Sequence, residues 1–176
     1  MQESSSAAGP GAGFGRFGRG LLAAAKWIAF SGGAVFTALV VMSVVSIVGR
    51  KLINTPVPGD VEVLQMCAAF ASASFFAYNH LMHGDVKVDF FTSRLSHGKR
   101  AFLDAAGSLL VGLFGALIAW RACVGALSVK EAGETSTMLG LPVWIAQILM
   151  VPSFALLGAA GFYMCVHTWI RRGKQP

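Results

Sequence analysis

The side chains of this sequence that could carry out chemistry are few, and none is arranged for a reaction. Asp60 and Glu62 stand together at the start of one apolar run, and Arg121 lies well inside another. His80, His83 and His97 fall in a polar interval, and His167 sits at the last turn of the final apolar run. Two-histidine haem ligation needs imidazoles facing each other at matching depth in a helical bundle, and this placement offers no such pair. Cys67, Cys123 and Cys165 each lie inside an apolar run, are odd in number and lack metal-type spacing, so they read as small apolar fillers. The sequence carries no hydrolytic triad, no metal-spaced cluster and no phosphate-binding lysine loop. Gly13-Phe-Gly15-Arg-Phe-Gly18 fits a dinucleotide fingerprint by letter, but no strand precedes it and no βαβ unit surrounds it. These residues predict a chain that is not an enzyme and binds no cofactor and no metal.

What must position these residues is a membrane. Hydrophobic residues make up 55% of the 176 residues and charged residues 12%, about half the usual charged share of a soluble domain. The mean hydropathy is +0.65. So short a soluble chain cannot bury that much apolar surface, whereas lipid can cover it. Four runs are near or above the ~20 residues that cross the hydrocarbon layer: about 26–48, 61–78, 102–127 and 142–169. An open strand would leave backbone groups unpaired in lipid, so the fold class is all-α, a polytopic membrane protein of four transmembrane helices. A Gly/Ala/Ser-rich segment, 1–25, is expected to be a disordered tail, and 173–176 a second short tail. The membrane domain is then 26–172. The first run is too long for the ~7–15-residue core of a signal peptide and reads as a retained anchor. Pro56 and Pro58 break the chain between runs one and two, Pro142 opens run four, and Pro152 is placed to kink it. The interval 79–100 is the longest polar stretch. Its Val86, Val88, Phe90, Phe91 and Leu95 suit a short interfacial element, whose type the mixed periodicity leaves open.

The net charge of +6 does not indicate nucleic acid, because the basic residues flank apolar runs and form no aromatic-interleaved patch. They set orientation and meet anionic lipid. Arg16, Arg19, Lys26, Lys87, Arg94, Lys99, Arg100, Arg171, Arg172 and Lys174 fall on one side, against Arg50, Lys51 and Lys130 on the other. That ten-to-three bias predicts both termini and the middle loop in the cytoplasm. Glu62 reads either as a helix N-terminal charge that reaches water or as a hydrogen-bonding contact to another subunit or an outer-side partner. Arg121 would cost from about 2.5 to over 10 kcal/mol if held centrally in lipid. Leu127 follows six residues later, roughly 9 Å of helix, so Arg121 can snorkel outward; an ion pair with Glu62 or a neighbouring subunit, or a substrate contact, are the alternatives. Small residues recur at helical spacing in Gly115 with Ala119, Ala68 with Ser72, Ala69 with Ala73 and Ala155 with Ala159, which suits close helix packing.

Several local patterns then occur in a recognisable order. Arg50 closes the first run, and Pro56-x-Pro-Gly-Asp-Val-Glu62 enters the second. Gly84-Asp-Val-Lys-Val-Asp89 and Arg94-Leu occupy the middle loop; Gly133-Glu-Thr-Ser-Thr, Leu141-Pro-Val-Trp144 and Pro152 lead into the fourth run. From about Trp27 to Arg172 the chain resembles the small membrane subunit of tripartite ATP-independent periplasmic (TRAP) transporters, the DctQ-like family. Asp85 stands where that family's loop usually carries histidine, with His83 two positions earlier. The resemblance implies a scaffold subunit in the bacterial inner membrane. Its partners would be a large permease subunit, a periplasmic substrate-binding protein and the lipid bilayer. Organic acids such as C4-dicarboxylates would enter by symport with an ion, usually sodium. It makes Arg50, Glu62 and Asp89 candidates for structural or subunit-interface roles, to which Arg121 is added for its charge inside an apolar run. The runner-up readings are a self-sufficient four-helix transporter, with Glu62 as its membrane carboxylate, and a haem or electron-transfer subunit.

Overall fold

The computed structural model describes residues 14–82 and 97–172. It contains four helices: α1 Arg16–Leu52, α2 Asp60–Leu81, α3 His97–Ala132 and α4 Val143–Arg172. Each is long and apolar enough to cross a membrane, and no strand occurs among the described residues. The all-α, four-span class read from the sequence therefore holds. Asp89 and most of the 79–100 interval, including any interfacial element, lie outside the described residues.

The helix limits differ from the apolar runs in an instructive way. α1 begins at Arg16, where hydropathy alone placed the start near Lys26. The added turns are held by tertiary contact, because Gly18, Leu21 and Ala25 are buried against the rest of the chain. Residues 16–25 are thus helical, where the composition suggested a disordered tail. α2 likewise runs on to Leu81, which takes His80 out of the expected loop and into the last helical turn, where it is buried. α3 starts at His97 and ends at Ala132, beyond Leu127. Helix propensity and packing continue past the edge of the apolar run, and a hydropathy window does not see either.

The helices do not close into a square bundle. α2 and α4 pack against each other in the middle, α1 lies along α2, and α3 packs chiefly on α4. The spatial order is α1–α2–α4–α3, a layer one helix thick. α1 meets α4 only towards the terminal end, where Gly18 lies under the Tyr163 ring. Only 17–22% of the most apolar window of each helix is buried within the chain. The outer helices α1 and α3 are exposed along most of their length, to lipid or to another protein, whereas α2 and α4 are largely half-buried.

Packing inside the layer relies on small residues. The buried set is dominated by alanines, including Ala25, Ala73, Ala77, Ala119 and Ala160, with Leu81 the largest fully buried side chain. Lipid is as apolar as leucine, so helices gain little from hiding large side chains from it and associate through close van der Waals contact. The α3–α4 contact shows this most directly. A Cβ added at Gly115 would stand 2.7 Å from the Gly158 backbone nitrogen, and one at Gly112 would stand 3.0 Å from the Phe162 nitrogen. Gly161 faces the backbone of Gly112 and, at 2.7 Å, the Ser108 carbonyl oxygen. The α1–α2 contact is similar, with Gly32 admitting the buried Ser74, whose hydroxyl donates to the Ala71 carbonyl at 2.6 Å.

This packing separates two chemically identical substitutions. Gly107 on α3 has open space around its missing Cβ. Gly107→Ala should leave stability unchanged or raise it by up to about 1 kcal/mol through helix propensity. Gly161→Ala should cost about 1–3 kcal/mol, because backbone rather than a flexible side chain must move. Thermal unfolding of the purified variants in one detergent compares them, and equal melting temperatures would contradict the close α3–α4 approach.

Candidate functional site

The polar groups of the spans gather at the end of the layer away from the termini, where the α1–α2 and α3–α4 connections meet. α1 is stopped there by chain geometry. Ile53 donates its N–H to the Gly49 carbonyl at 3.0 Å, Asn54 takes a left-handed φ of 53°, and Pro56 and Pro58 prevent resumption. Gly59 follows with φ 71°, a conformation that favours glycine, and its missing Cβ leaves room for the Leu139 side chain from the other connection. Asp60 then opens α2.

Asp60 is the hub of the first connection. Its carboxylate accepts from the Ser46 hydroxyl and, at 2.8 Å, from the Val61 N–H. The Arg50 guanidinium approaches it at 3.6 Å. Ser46 is buried, and its oxygen also accepts from the Val57 N–H at 3.3 Å. One acid and one hydroxyl thus tie the last turns of α1 to the loop and to the first turn of α2. The negative charge also sits favourably at a helix N-terminus. Arg50 is 61% exposed, so its ion pair is the minor part of this arrangement.

Glu62 performs the corresponding task for the second connection. Its two carboxylate oxygens accept from the backbone N–H groups of Met138 at 2.7 Å and Leu139 at 3.0 Å. Those amides form the tip of a tight turn. Thr135 and Pro142 make an antiparallel bridge, Ser136 N–H donates to the Leu141 carbonyl at 2.8 Å, and Gly140, at φ 64°, donates to the Ser136 carbonyl at 3.1 Å. The Leu141 N–H bonds to the Ser136 hydroxyl at 3.2 Å, which leaves the amides of 138 and 139 for Glu62. Beside the turn, Lys130 at the end of α3 lies 5.0 Å above the Trp144 ring of α4.

Under this turn lies a cavity of about 410 Å³, with Glu62, Gln65, Thr135, Ser136, Thr137 and Gln147 among its lining residues. Its lining is mixed, with Met66, Val143 and Met150 beside those polar groups, and it is roomy enough for water. The Gln147 side-chain oxygen is buried and has no hydrogen-bond partner among the described residues. Nothing in this arrangement is a reactive constellation. Among the described residues no group of three or more metal-capable side chains occurs.

The structure brings some candidate residues together and separates others. Arg50 pairs with Asp60, and Glu62 binds the 138–139 amides. Arg121 is exposed on α3 and is not joined to Glu62, so the ion pair weighed for it within this chain is not formed. Its exposed position leaves outward snorkelling or a contact outside the chain. Sequence reasoning missed Ser46, Ser136 and the two amide donors. Ser46 was visible as a lone hydroxyl in an apolar run, but a backbone donor has no side-chain signature. Gly112, Gly158 and Gly161 were also missed, although their three-residue spacing places them in two matching pairs with Gly115.

A thin layer of apolar helices, with polar groups spent on holding loops together, defines a polytopic membrane component. The family described as tripartite ATP-independent periplasmic transporters, DctQ component, matches residues 39–171 of this chain. The chain belongs to that family: it is the small membrane subunit type of TRAP transporters, a transporter component and not an enzyme. No curated protein and no solved structure matches it.

The two acids make separable predictions. Glu62→Gln should speed amide exchange at Met138 and Leu139 and leave Gly140 unchanged, because Gly140 donates to Ser136 instead. Residue-resolved hydrogen exchange in detergent tests this, and unchanged protection at 138 and 139 would show that the carboxylate does not hold the turn. Asp60→Ala should destabilise the chain more than Arg50→Ala, since only the former removes the acceptor for both Ser46 and Val61. The reverse order of melting temperatures would make the ion pair the main term.

Proposed function

We infer that the chain serves as a scaffold in a complex that imports organic acids across the bacterial inner membrane, driven by an ion gradient, most simply sodium. A large permease subunit supplies the substrate and ion sites, and a periplasmic binding protein delivers the substrate. The observation that carries this reading is the open layer: only 17–22% of the most apolar window of each helix is buried by the chain itself, and α1 and α3 are exposed along most of their length. A transporter acting alone needs a site enclosed between its own helices, commonly near the midplane. Here the cavity beside Glu62 lies under a loop at one end, and Glu62 is committed to backbone amides. That argues against Glu62 as the working carboxylate of a self-sufficient carrier. The charge bias supports cytoplasmic termini and a periplasmic position for the Asp60–Glu62 end. The same bias supports a cytoplasmic position for the middle loop, and with it Asp89.

In cells lacking this chain, uptake of the labelled organic acid should be abolished, and the tagged chain should bring down a large membrane subunit. Normal uptake without it, or substrate flux through the isolated chain in liposomes, would defeat the scaffold reading. The threading is tested separately. Lys51→Cys and Lys130→Cys should react with an impermeant maleimide in intact spheroplasts, and Lys174→Cys only after permeabilisation. Labelling of all three in intact spheroplasts would refute it.

A further inference from the structure

α1 carries a feature that neither membrane spanning nor packing within the chain requires. Its 37 residues make a rod of about 55 Å, against about 30 Å of hydrocarbon. Counting ~20 residues back from Val48 puts the hydrocarbon boundary near Ile28. The turns before it reach into and past the headgroup layer. On these turns the buried positions, Gly18, Leu21, Ala25, Ala29 and Gly32, form one face. At ~100° per residue, Arg16, Arg19, Ala23, Lys26, Trp27 and Phe30 fall on the opposite face in a stripe roughly 100° wide. All six are exposed, Trp27 at 73% and Phe30 at 72%.

The order along the stripe matches the polarity of a lipid monolayer. Phe30 and Trp27 come at the hydrocarbon edge, with ring centroids 6.3 Å apart in an edge-on pair. Lys26 joins them in lining a hollow of about 330 Å³. Ala23 leaves a gap in the ridge above, followed by Arg19 and Arg16. α1 itself supplies no acid beside the stripe, since no acidic residue occurs from Ser4 to Gly59. Indole suits the interface, and a lysine near a helix end extends its ammonium to headgroup level.

We propose that this stripe is a binding site for an anionic phospholipid, with its phosphate between Lys26 and Arg19 and its acyl chain against Trp27 and Phe30. Charge complementarity selects the ligand: three cations and two rings in depth order fit a negatively charged headgroup above an acyl chain. The site depends on the membrane setting and not on the transport role, so either can fail without the other. The N-terminal turns of α1 are then held from both faces, by α4 behind and by lipid in front.

The test uses the full chain with Trp27 as its sole tryptophan (Trp120, Trp144 and Trp169→Phe), reconstituted in phosphatidylcholine vesicles containing a minor share of phosphatidylglycerol. Bromine is placed on the tails of one lipid or the other, and quenching of Trp27 reports which lipid adjoins it. Brominated phosphatidylglycerol should quench well beyond its share of the bilayer. Each basic side chain near the surface contributes about fivefold to the preference. Lys26→Gln should therefore lower the excess about fivefold, and Arg16→Gln/Arg19→Gln/Lys26→Gln should abolish it. Lys51→Gln at the other end should leave it intact, which also shows that loss of any lysine is not enough. Quenching in proportion to bilayer composition in the parent chain overturns the site. So does absence of quenching by both lipids, which would mean that protein covers this face.

Discussion

The approach of helix backbones to within van der Waals contact is the constraint on which the rest of the structure depends. In water, four apolar helices would be driven together by hiding their side chains. In lipid that drive is absent, and what remains is packing and polar contact. The chain meets this condition with glycine where α3 crosses α4, with a Gly32–Ser74 fit where α1 meets α2, and with alanine through most of the shared core. Large residues are correspondingly displaced outward, as at Phe114, Trp120 and Phe36. An inside-out appearance is therefore the direct consequence of the solvent.

Such contacts hold neighbours in register but do little to fix how a layer ends. That work falls to the polar groups at the loop end. Asp60 and Glu62 are two residues apart in the first turn of α2, about 200° around the helix, and they serve different connections, the first binding back to α1 and the second across to the turn before α4. Placing both acids at one helix N-terminus also matches them to the local dipole. Since α2 lies between α1 and α4 in the layer, its first turn is adjacent to both connections. The position of the two carboxylates thus follows from the helix order.

The sequence reveals those parts of this arrangement that depend on composition. Four spans, their helical state and the loop-breaking prolines all follow from apolar run length and backbone chemistry. The acids at 60 and 62 stand out because charges beside an apolar run are conspicuous. What the chain does not display is which group satisfies them, since the partners of Glu62 are backbone amides contributed by Met138 and Leu139, whose side chains have no bearing on the bond. The same blindness applies to Arg121, where a cation and an acid in one small protein suggested a pair that the fold does not make. The early start of α1 is hidden for a related reason: Gly18 lies on Tyr163 of α4, Leu21 and Ala25 are buried in the shared core, and no local pattern announces those contacts.

The helix order also bears on function. A closed four-helix bundle buries one face of every helix and can enclose a site; a layer in the order α1–α2–α4–α3 leaves two broad sides and two edge helices. Any chemistry done between its own helices would have to take place across a single contact, and the tightest of those, α3 on α4, is filled by backbone. What a layer can do is lie along a larger body, keep its shape while that body moves, and stay fixed in the bilayer. Rigidity along the layer then matters more than any individual polar residue. The chain supplies that rigidity at three separated places: the glycine contact within the spans, the carboxylates at the loop end and the α1–α4 contact at the terminal end. Loss of one would let the layer hinge while the remaining two keep the helices associated.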